Sequence, residues 1–159
     1  MDKLIELLNE NSQFTVSELS AMLNRSEEDI KHQIEEYEKQ GIIKGYKALI
    51  NWDKLADSCV SAIIELKVVP KKETGFDEIA KSVMHFDEVE SVYLMAGGYD
   101  LLVMVKGKNI QEISMFVSRR LSTLDSVVST ATHFVLSRYK DGGVTLFNDE
   151  EADKRSMIL

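Results

Sequence analysis

The sequence predicts an α+β protein, a winged helix-turn-helix followed by a split βαββαβ unit, on three observations. Apolar residues recur at helical spacing in three short stretches between Leu4 and Tyr37. From Ser61 the period switches to two, as in a half-buried strand. Beyond it, strand, helix, strand, strand, helix and strand patterns follow one another as far as Leu136.

Leu4, Ile5 and Leu8 share one face of a first helix, which the polar stretch Asn9 to Gln13 ends. Thr15-Val16-Ser17-Glu18 is a capping-box pattern, in which the hydroxyl and the carboxylate each satisfy a backbone N–H left free at a helix start. The second helix therefore begins there, turns Val16, Leu19 and Leu23 inward and stops near Asn24. Ser26 followed by Glu27-Glu28-Asp29 offers another N-cap, with acidic residues suited to the positive end of the helix dipole. The third helix runs to Gln40 with Ile30, Ile34 and Tyr37 as its buried stripe. Gly41 suits the left-handed residue that leaves a helix, and Ile42 to Tyr46 reads as a short strand or wing.

Residues 47–58 read as a linker, with Trp52 as an anchor between parts. Ala62, Ile64, Leu66 and Val68 alternate with Ser61, Ile63, Glu65 and Lys67 in a strand that ends at Pro70, the only proline. Thr74 with Asp77 caps a helix whose Phe76, Ile79, Ala80, Val83 and Met84 share one face. Strands follow at Val89 to Met95 and Asp100 to Val105. Asn109 with Glu112 opens a helix bearing Ile110, Ile113, Val117 and Leu121, and Val127 to Leu136 is a β-branched last strand. The order is that of the ferredoxin-like arrangement. The Asp141-Gly142-Gly143 turn then leads to Val144 to Phe147 as an added edge strand, and Asn148 onward reads as a solvated tail. The boundaries are 1–46 for the helix-turn-helix domain, 47–58 for the linker, 59–140 for the αβ domain and 141–159 for a C-terminal extension.

With 159 residues, 44% of them apolar, the chain has the material for a buried core. Its longest apolar runs, such as Leu101 to Val105, are five residues, and Asp2, Lys3 and Glu6 interrupt any signal-peptide pattern, so a cytoplasmic protein with no membrane partner is expected. Cys59 is a single cysteine, read as a small core or strand-start residue. His32, His85 and His133 form no i, i+4 pair and have no cysteine partner, so neither a metal site nor a cofactor is expected. Met84, Met95, Met104 and Met115 read as core filler or oligomer contacts.

The connection Ala96-Gly97-Gly98-Tyr99-Asp100 joins two apolar strands. Adjacent glycines let a chain turn tightly and present backbone N–H groups, which can hold a carboxylate, while Asp100 can pair with an ammonium. A free amino acid carries both groups. Ser129, Thr130 and Thr132 on the last strand are candidates for further hydroxyl contacts, and Met95 and Tyr99 flank the turn.

Val16 to Leu23, Ser26 through Gly41-Ile-Ile-Lys-Gly-Tyr46, the Ala96 to Asp100 turn and Thr130-Ala-Thr-His-Phe-Val135 resemble the Lrp/AsnC, or feast/famine, family of bacterial and archaeal transcription regulators. The resemblance covers nearly everything up to Tyr139. It implies a DNA-binding head, a domain that senses an amino acid or related metabolite between subunits, and homodimers that assemble into tetramers or octamers. The family's usual turn has a hydroxyl residue where this chain has Ala96, so that side-chain hydrogen bond is absent here.

Charge weighs against DNA. The chain carries −8, and within residues 1–57 seven basic groups face twelve acidic ones, a net of −5. Arg25, Ser26, Lys31, His32, Lys44 and Lys47 are the candidate contacts to duplex DNA, with Glu28 and Glu35 opposing them on the same helix. Two alternatives follow. The helix-turn-helix can serve as a protein-interaction module beside a ligand sensor, or the chain can resemble the related enzymes that decarboxylate tetrapyrroles. The second needs clustered basic groups, and Arg119 and Arg120 are the only adjacent arginines. No nucleophile elbow, phosphate-cradling glycine loop or HExxH pattern is present, so no catalytic residue is assigned.

Overall fold

The computed structural model describes residues 2–55, 59–72 and 75–146. The Thr74 cap, Phe147, the tail from Asn148 and part of the linker lie outside the described residues. The chain divides into two compact units, Met1–Leu49 and Ile50–Leu159. Among the described residues no helix is long and apolar enough to cross a membrane.

Three helices make the first unit: α1 (Lys3–Glu10), α2 (Val16–Leu23) and α3 (Glu27–Lys39). Their starts are set by side chains. The Asp2 Oδ1 accepts from the Leu4 N–H at 2.8 Å, and the Thr15 Oγ1 accepts from the Glu18 N–H at 3.2 Å while the Glu18 carboxylate accepts from the Thr15 N–H at 2.7 Å. The Ser26 Oγ accepts from the Asp29 N–H at 3.1 Å. Asn24, left-handed at φ 52°, ends α2 and leaves a two-residue step into α3. Leu4, Leu19 and Ile30, one from each helix, are fully buried and ringed by Leu7, Leu8, Phe14, Val16, Leu23, Ile34 and Tyr37. At roughly 1.5–3 kcal/mol per buried aliphatic side chain this is a small core, so the caps matter to it.

Gly41 takes φ +70°, and the Ile42 and Ile43 N–H groups fold back onto the Tyr37 carbonyl at 2.8 and 3.1 Å. The segment that follows has no regular secondary structure, so the short strand or wing expected at Ile42 to Tyr46 is not formed as a strand; no strand pairs with it among the described residues. Ile42 and Tyr46 are therefore more than half exposed.

In the second unit a 3₁₀ turn (Trp52–Lys54) precedes β1 (Val60–Val68), α4 (Asp77–Met84), β2 (Val89–Leu94), β3 (Leu101–Gly107), α5 (Ile110–Phe116) with a π turn (Val117–Leu121), and β4 (Val127–Phe134). The sheet order is β2-β3-β1-β4, and each of its pairs is antiparallel. This is the ferredoxin-like topology. Ala62, Ile64, Leu66 and Val68 of β1 with Leu101, Val103 and Val105 of β3 cover one face, against Ile79 and Val83 of α4 and Ile113, Phe116, Val117 and Leu121 of α5 and its π turn. On the other face Ile63, Glu65, Leu102 and Met104 are half-buried, and the His133 Nε2 lies 3.3 Å from the Glu65 Oε1.

Several expectations need correction. Phe76 is the N-cap of α4 and makes no side-chain cap there. Ile110 and Met84 fall outside the buried stripes, at 50% and 55% exposure, because the helices start and stop at those residues. Met95 and Met115 are also exposed, so Met84, Met95 and Met115 do not fill the core. Cys59 is exposed, so it is not a core residue, but it stands immediately before β1 as the strand-start alternative has it. The strand expected from Val144 does not join the sheet. It pairs as β6 (Val144–Thr145) with β5 (Lys140–Asp141) in a hairpin of its own, turned by Gly142 and Gly143 at φ 50° and 84°.

Candidate functional site

The loop from Met95 to Asp100 joins β2 to β3 and is closed by its ends, with the Met95 N–H donating to the Asp100 carbonyl at 2.8 Å. Asp100 also fastens it to β1. Its N–H donates to the Leu66 carbonyl at 3.0 Å, and its Oδ2 accepts from the Val68 N–H at 2.9 Å. Half of the carboxylate expected to meet an ammonium group is thus committed to the fold. Ala96, Gly97 and Gly98 are exposed, and Tyr99 and Asp100 are half-buried.

The turn itself does not call for glycine at these two positions. Gly97 and Gly98 are absent from the left-handed φ region, and a Cβ added at either meets no atom within 4 Å. Among the described residues neither strain nor crowding requires glycine there.

Strand register divides the three hydroxyl residues of β4. Thr130 faces Leu66 and Thr132 faces Ile64, so both lie on the side that the helices cover, and Thr130 Oγ1 is 3.5 Å from Ser122 Oγ. Ser129 faces Lys67 and lies on the other side. Ser129 and Thr130 share the sheet end that carries the Asp100 turn, whereas Thr132 is nearer the middle of the strand. These three residues do not form one hydroxyl row.

On the first unit Glu28, Lys31, His32, Glu35 and Lys39 of α3 are exposed, as are Lys44 and Lys47 beyond it. Lys39 is paired with Glu36 at 3.4 Å. Ser26 spends its hydroxyl on the α3 cap. Arg25 is the most constrained of the candidates. Its N–H donates to the Ser20 carbonyl at 3.2 Å, its carbonyl accepts from the Ser20 hydroxyl, and its guanidinium donates to the Gln33 Oε1. The Gln33 Nε2 donates to the Asp2 Oδ2 at 2.9 Å and to the Tyr37 hydroxyl at 2.5 Å, and that hydroxyl donates to Asp2. The Tyr37 hydrogen bond, helped by the Leu4 N–H, holds the Asp2 carboxyl below its usual range, and the same bond raises Tyr37. Sequence reasoning missed Gln33 because Asp2 and Arg25 are 31 and 8 residues away; only Tyr37, one turn on along α3, is a local partner.

An open cleft of about 580 Å³ beside α5 is lined by Lys108, Gln111, Met115, Phe116, Arg119 and Arg120, among others. Arg120 does not leave its charge open to a polycarboxylate. It pairs with Glu88 at 3.1 Å and stacks 4.3 Å from the centre of the Phe86 ring. Among the described residues no group of three or more His, Cys, Asp or Glu is placed to hold a metal ion.

The family model described as the Lrp/AsnC ligand binding domain matches residues 61–145. The uncharacterized HTH-type transcriptional regulator YugG of Bacillus subtilis is 43% identical over 157 residues, covering 98% of this chain and 94% of that one. The proline dehydrogenase transcriptional activator of Rhizobium radiobacter is 28% identical over 142 residues, covering 89% and 90%. Among solved structures, the transcriptional regulator NMB0573 of Neisseria meningitidis, in complex with L-Met, superposes with a TM-score of 0.71 at 26% identity, covering 89% of this chain and 93% of that one.

Proposed function

This chain belongs to the Lrp/AsnC family, and from that premise we propose that it is a DNA-binding transcription regulator whose second unit binds an amino acid or a closely related zwitterion at the Met95 to Asp100 turn. The carrying observation is the Gly97-Gly98 pair. Nothing among the described residues needs those glycines, which supports reading their open backbone as the place where a ligand or a second copy comes close. Asp100 holds the turn in place from one carboxylate oxygen, and the other oxygen is the partner for an ammonium group. Ala96 supplies no hydroxyl, so binding rests on backbone N–H groups and on side-chain fit against Met95 and neighbours. Ser129 and Thr130 reach the same sheet end, and Thr132 contributes less.

The turn stands open in one chain, so the site is completed by a homodimer through the second unit. The half-buried Ile63, Leu102 and Met104 on the sheet face away from the helices support that arrangement. Larger assemblies, tetramers or octamers, would place several heads on one duplex and gain avidity. The first unit meets DNA through Arg25, Ser26, Lys31, His32, Lys44 and Lys47, weakly and with strong salt dependence, because its acidic residues oppose phosphate. The acidic head also favours a second reading, a protein-interaction module in place of a DNA reader. The proposed role is binding rather than catalysis, in keeping with the relatives named as regulators.

A thermal-shift screen of the full chain against the twenty L-amino acids tests the sensor. A ligand specific for the folded state stabilises it by about 2.7 kcal/mol at 100 times its Kd, and so raises the melting temperature with concentration. The expected result is a rise with a small subset of amino acids, lost in Gly98→Val. No rise with any of them removes the amino-acid reading.

A further inference from the structure

We infer that Gln33 is a positioning residue for DNA binding, which, clamped by Asp2 and Tyr37, presets Arg25 at the entrance to α3. The inference rests on the reading of the first unit as a DNA binder and adds to it residues that touch no DNA.

The hydrogen-bond accounting of the clamp closes. Asp2 is a carboxylate and only accepts, so the amide nitrogen of Gln33 faces it, and the amide oxygen is left facing Arg25. The second N–H of that nitrogen goes to the Tyr37 oxygen, and the Tyr37 proton goes to Asp2. The other Asp2 oxygen caps α1. Amide orientation is therefore fixed from one side by a charge, and Arg25 meets a carbonyl rather than an NH2 group.

Ser20 ties down both backbone groups of Arg25 and Gln33 takes its guanidinium, so main chain and side chain each have a fixed partner before anything binds. Arg25 is the only arginine in residues 1–57, a segment of net −5. Its planar guanidinium is the best suited of the candidates to hold a phosphate or a guanine edge. Accepting from arginine with a neutral amide places no carboxylate in direct contact with the guanidinium, although the Asp2 charge is close enough to act on it. In a head with few cations to spare, ordering the strongest one in advance removes the entropy loss of immobilising a long side chain on binding.

The test uses the full chain, a mixed-sequence duplex as probe, and the variants Gln33→Met, Arg25→Ala and their combination, with melting curves confirming that each folds. Gln33→Met keeps the charge and the helix. It should weaken binding roughly 2- to 12-fold, the cost of fixing one side chain, without changing the slope of log K against log salt. Arg25→Ala should lower that slope by about 0.9 per head. In the Arg25→Ala background Gln33→Met should add nothing, since its target is gone. In the protein without DNA, NMR relaxation of the Arg25 Nε–Hε should report an ordered group in wild type and a mobile one in Gln33→Met. Equal mobility in the two proteins, or additive losses in the double variant, overturns the positioning role while leaving DNA binding intact. Absence of wild-type binding at any salt overturns the DNA reading itself, and this inference with it.

Discussion

Replacing Asp100 separates what the carboxylate does for the fold from what it does for a ligand. Its Oδ2 accepts from the N–H of Val68, a residue only 7% exposed at the end of β1, so Asp100→Ala leaves that donor without its partner. A hydrogen bond to a charged group contributes about 1.5–3 kcal/mol, and an orphaned backbone N–H costs about the same. The loop loses its fastening to β1 at the same time. A loss of about 2 kcal/mol is expected, which for a unit of this size lowers the melting temperature by roughly 8 °C. Asp100→Asn keeps an acceptor oxygen in place and should lower stability by about 1 kcal/mol or less. The ligand responds in a different order. Asp100→Asn removes the charge opposite the ammonium group and should weaken the effector strongly while the fold holds. Calorimetric melting of both variants, with and without an amino acid found by screening, gives the four values required. A melting curve for Asp100→Ala that matches wild type would refute the clamp, and unchanged effector affinity in Asp100→Asn would refute the ammonium contact.

Leu66→Ala removes a fully buried side chain from the centre of the sheet and should cost about 2–5 kcal/mol, read as a lower urea midpoint. Thr15→Ala removes one side of the α2 capping box and should cost about 1 kcal/mol, seen in the melting of the first unit. The Asp2 carboxyl binds its proton less tightly in the folded protein than in the unfolded chain. Its contribution is therefore full above the ordinary aspartate value near 3.8 and is lost as pH falls through the lower folded value. Melting temperatures across the acid range should fall less steeply in Asp2→Asn than in wild type, with Glu18, lowered by its Thr15 hydrogen bonds, still contributing the same sign of dependence. Gly98→Val should leave melting without ligand unchanged, because its Cβ meets nothing within 4 Å, and should abolish the stabilisation by an amino acid.

Local chemistry was the most legible part of this chain. Thr15 with Glu18, Ser26 with Asp29 and Asn109 with Glu112 each signal a helix start over three residues, and the structure places a cap at each. The β1 alternation also needs only neighbouring residues, and Ala62, Ile64, Leu66 and Val68 are its buried set. Contacts between distant segments were not legible. Nothing near Asp100 announces Val68, 32 residues earlier, and nothing near Asp2 announces Tyr37. Side-chain facing on β4 was in principle readable, since period two already puts Ser129 opposite Thr130 and Thr132. The segment from Val144 has the residue types of a strand, but its pairing partner is decided by the tight glycine turn that returns it to Lys140. Of the two meanings the glycine pair at 97 and 98 carries in the sequence, a special turn conformation and an open backbone, the described backbone does not need the first.

The most direct test of an amino-acid-responsive DNA regulator is fluorescence anisotropy of a labelled duplex titrated with the full chain, at low and moderate salt, with and without an amino acid that stabilises the fold. Wild type and Glu28→Gln/Glu35→Gln are compared side by side, because the double variant relieves repulsion from phosphate without touching the Ile30, Ile34 and Tyr37 stripe. Weak, salt-sensitive binding by wild type, tighter binding by the double variant and a shift of the midpoint by the amino acid are expected. No anisotropy change for either protein at low salt would contradict the DNA-binding account and leave the first unit as a protein-interaction module.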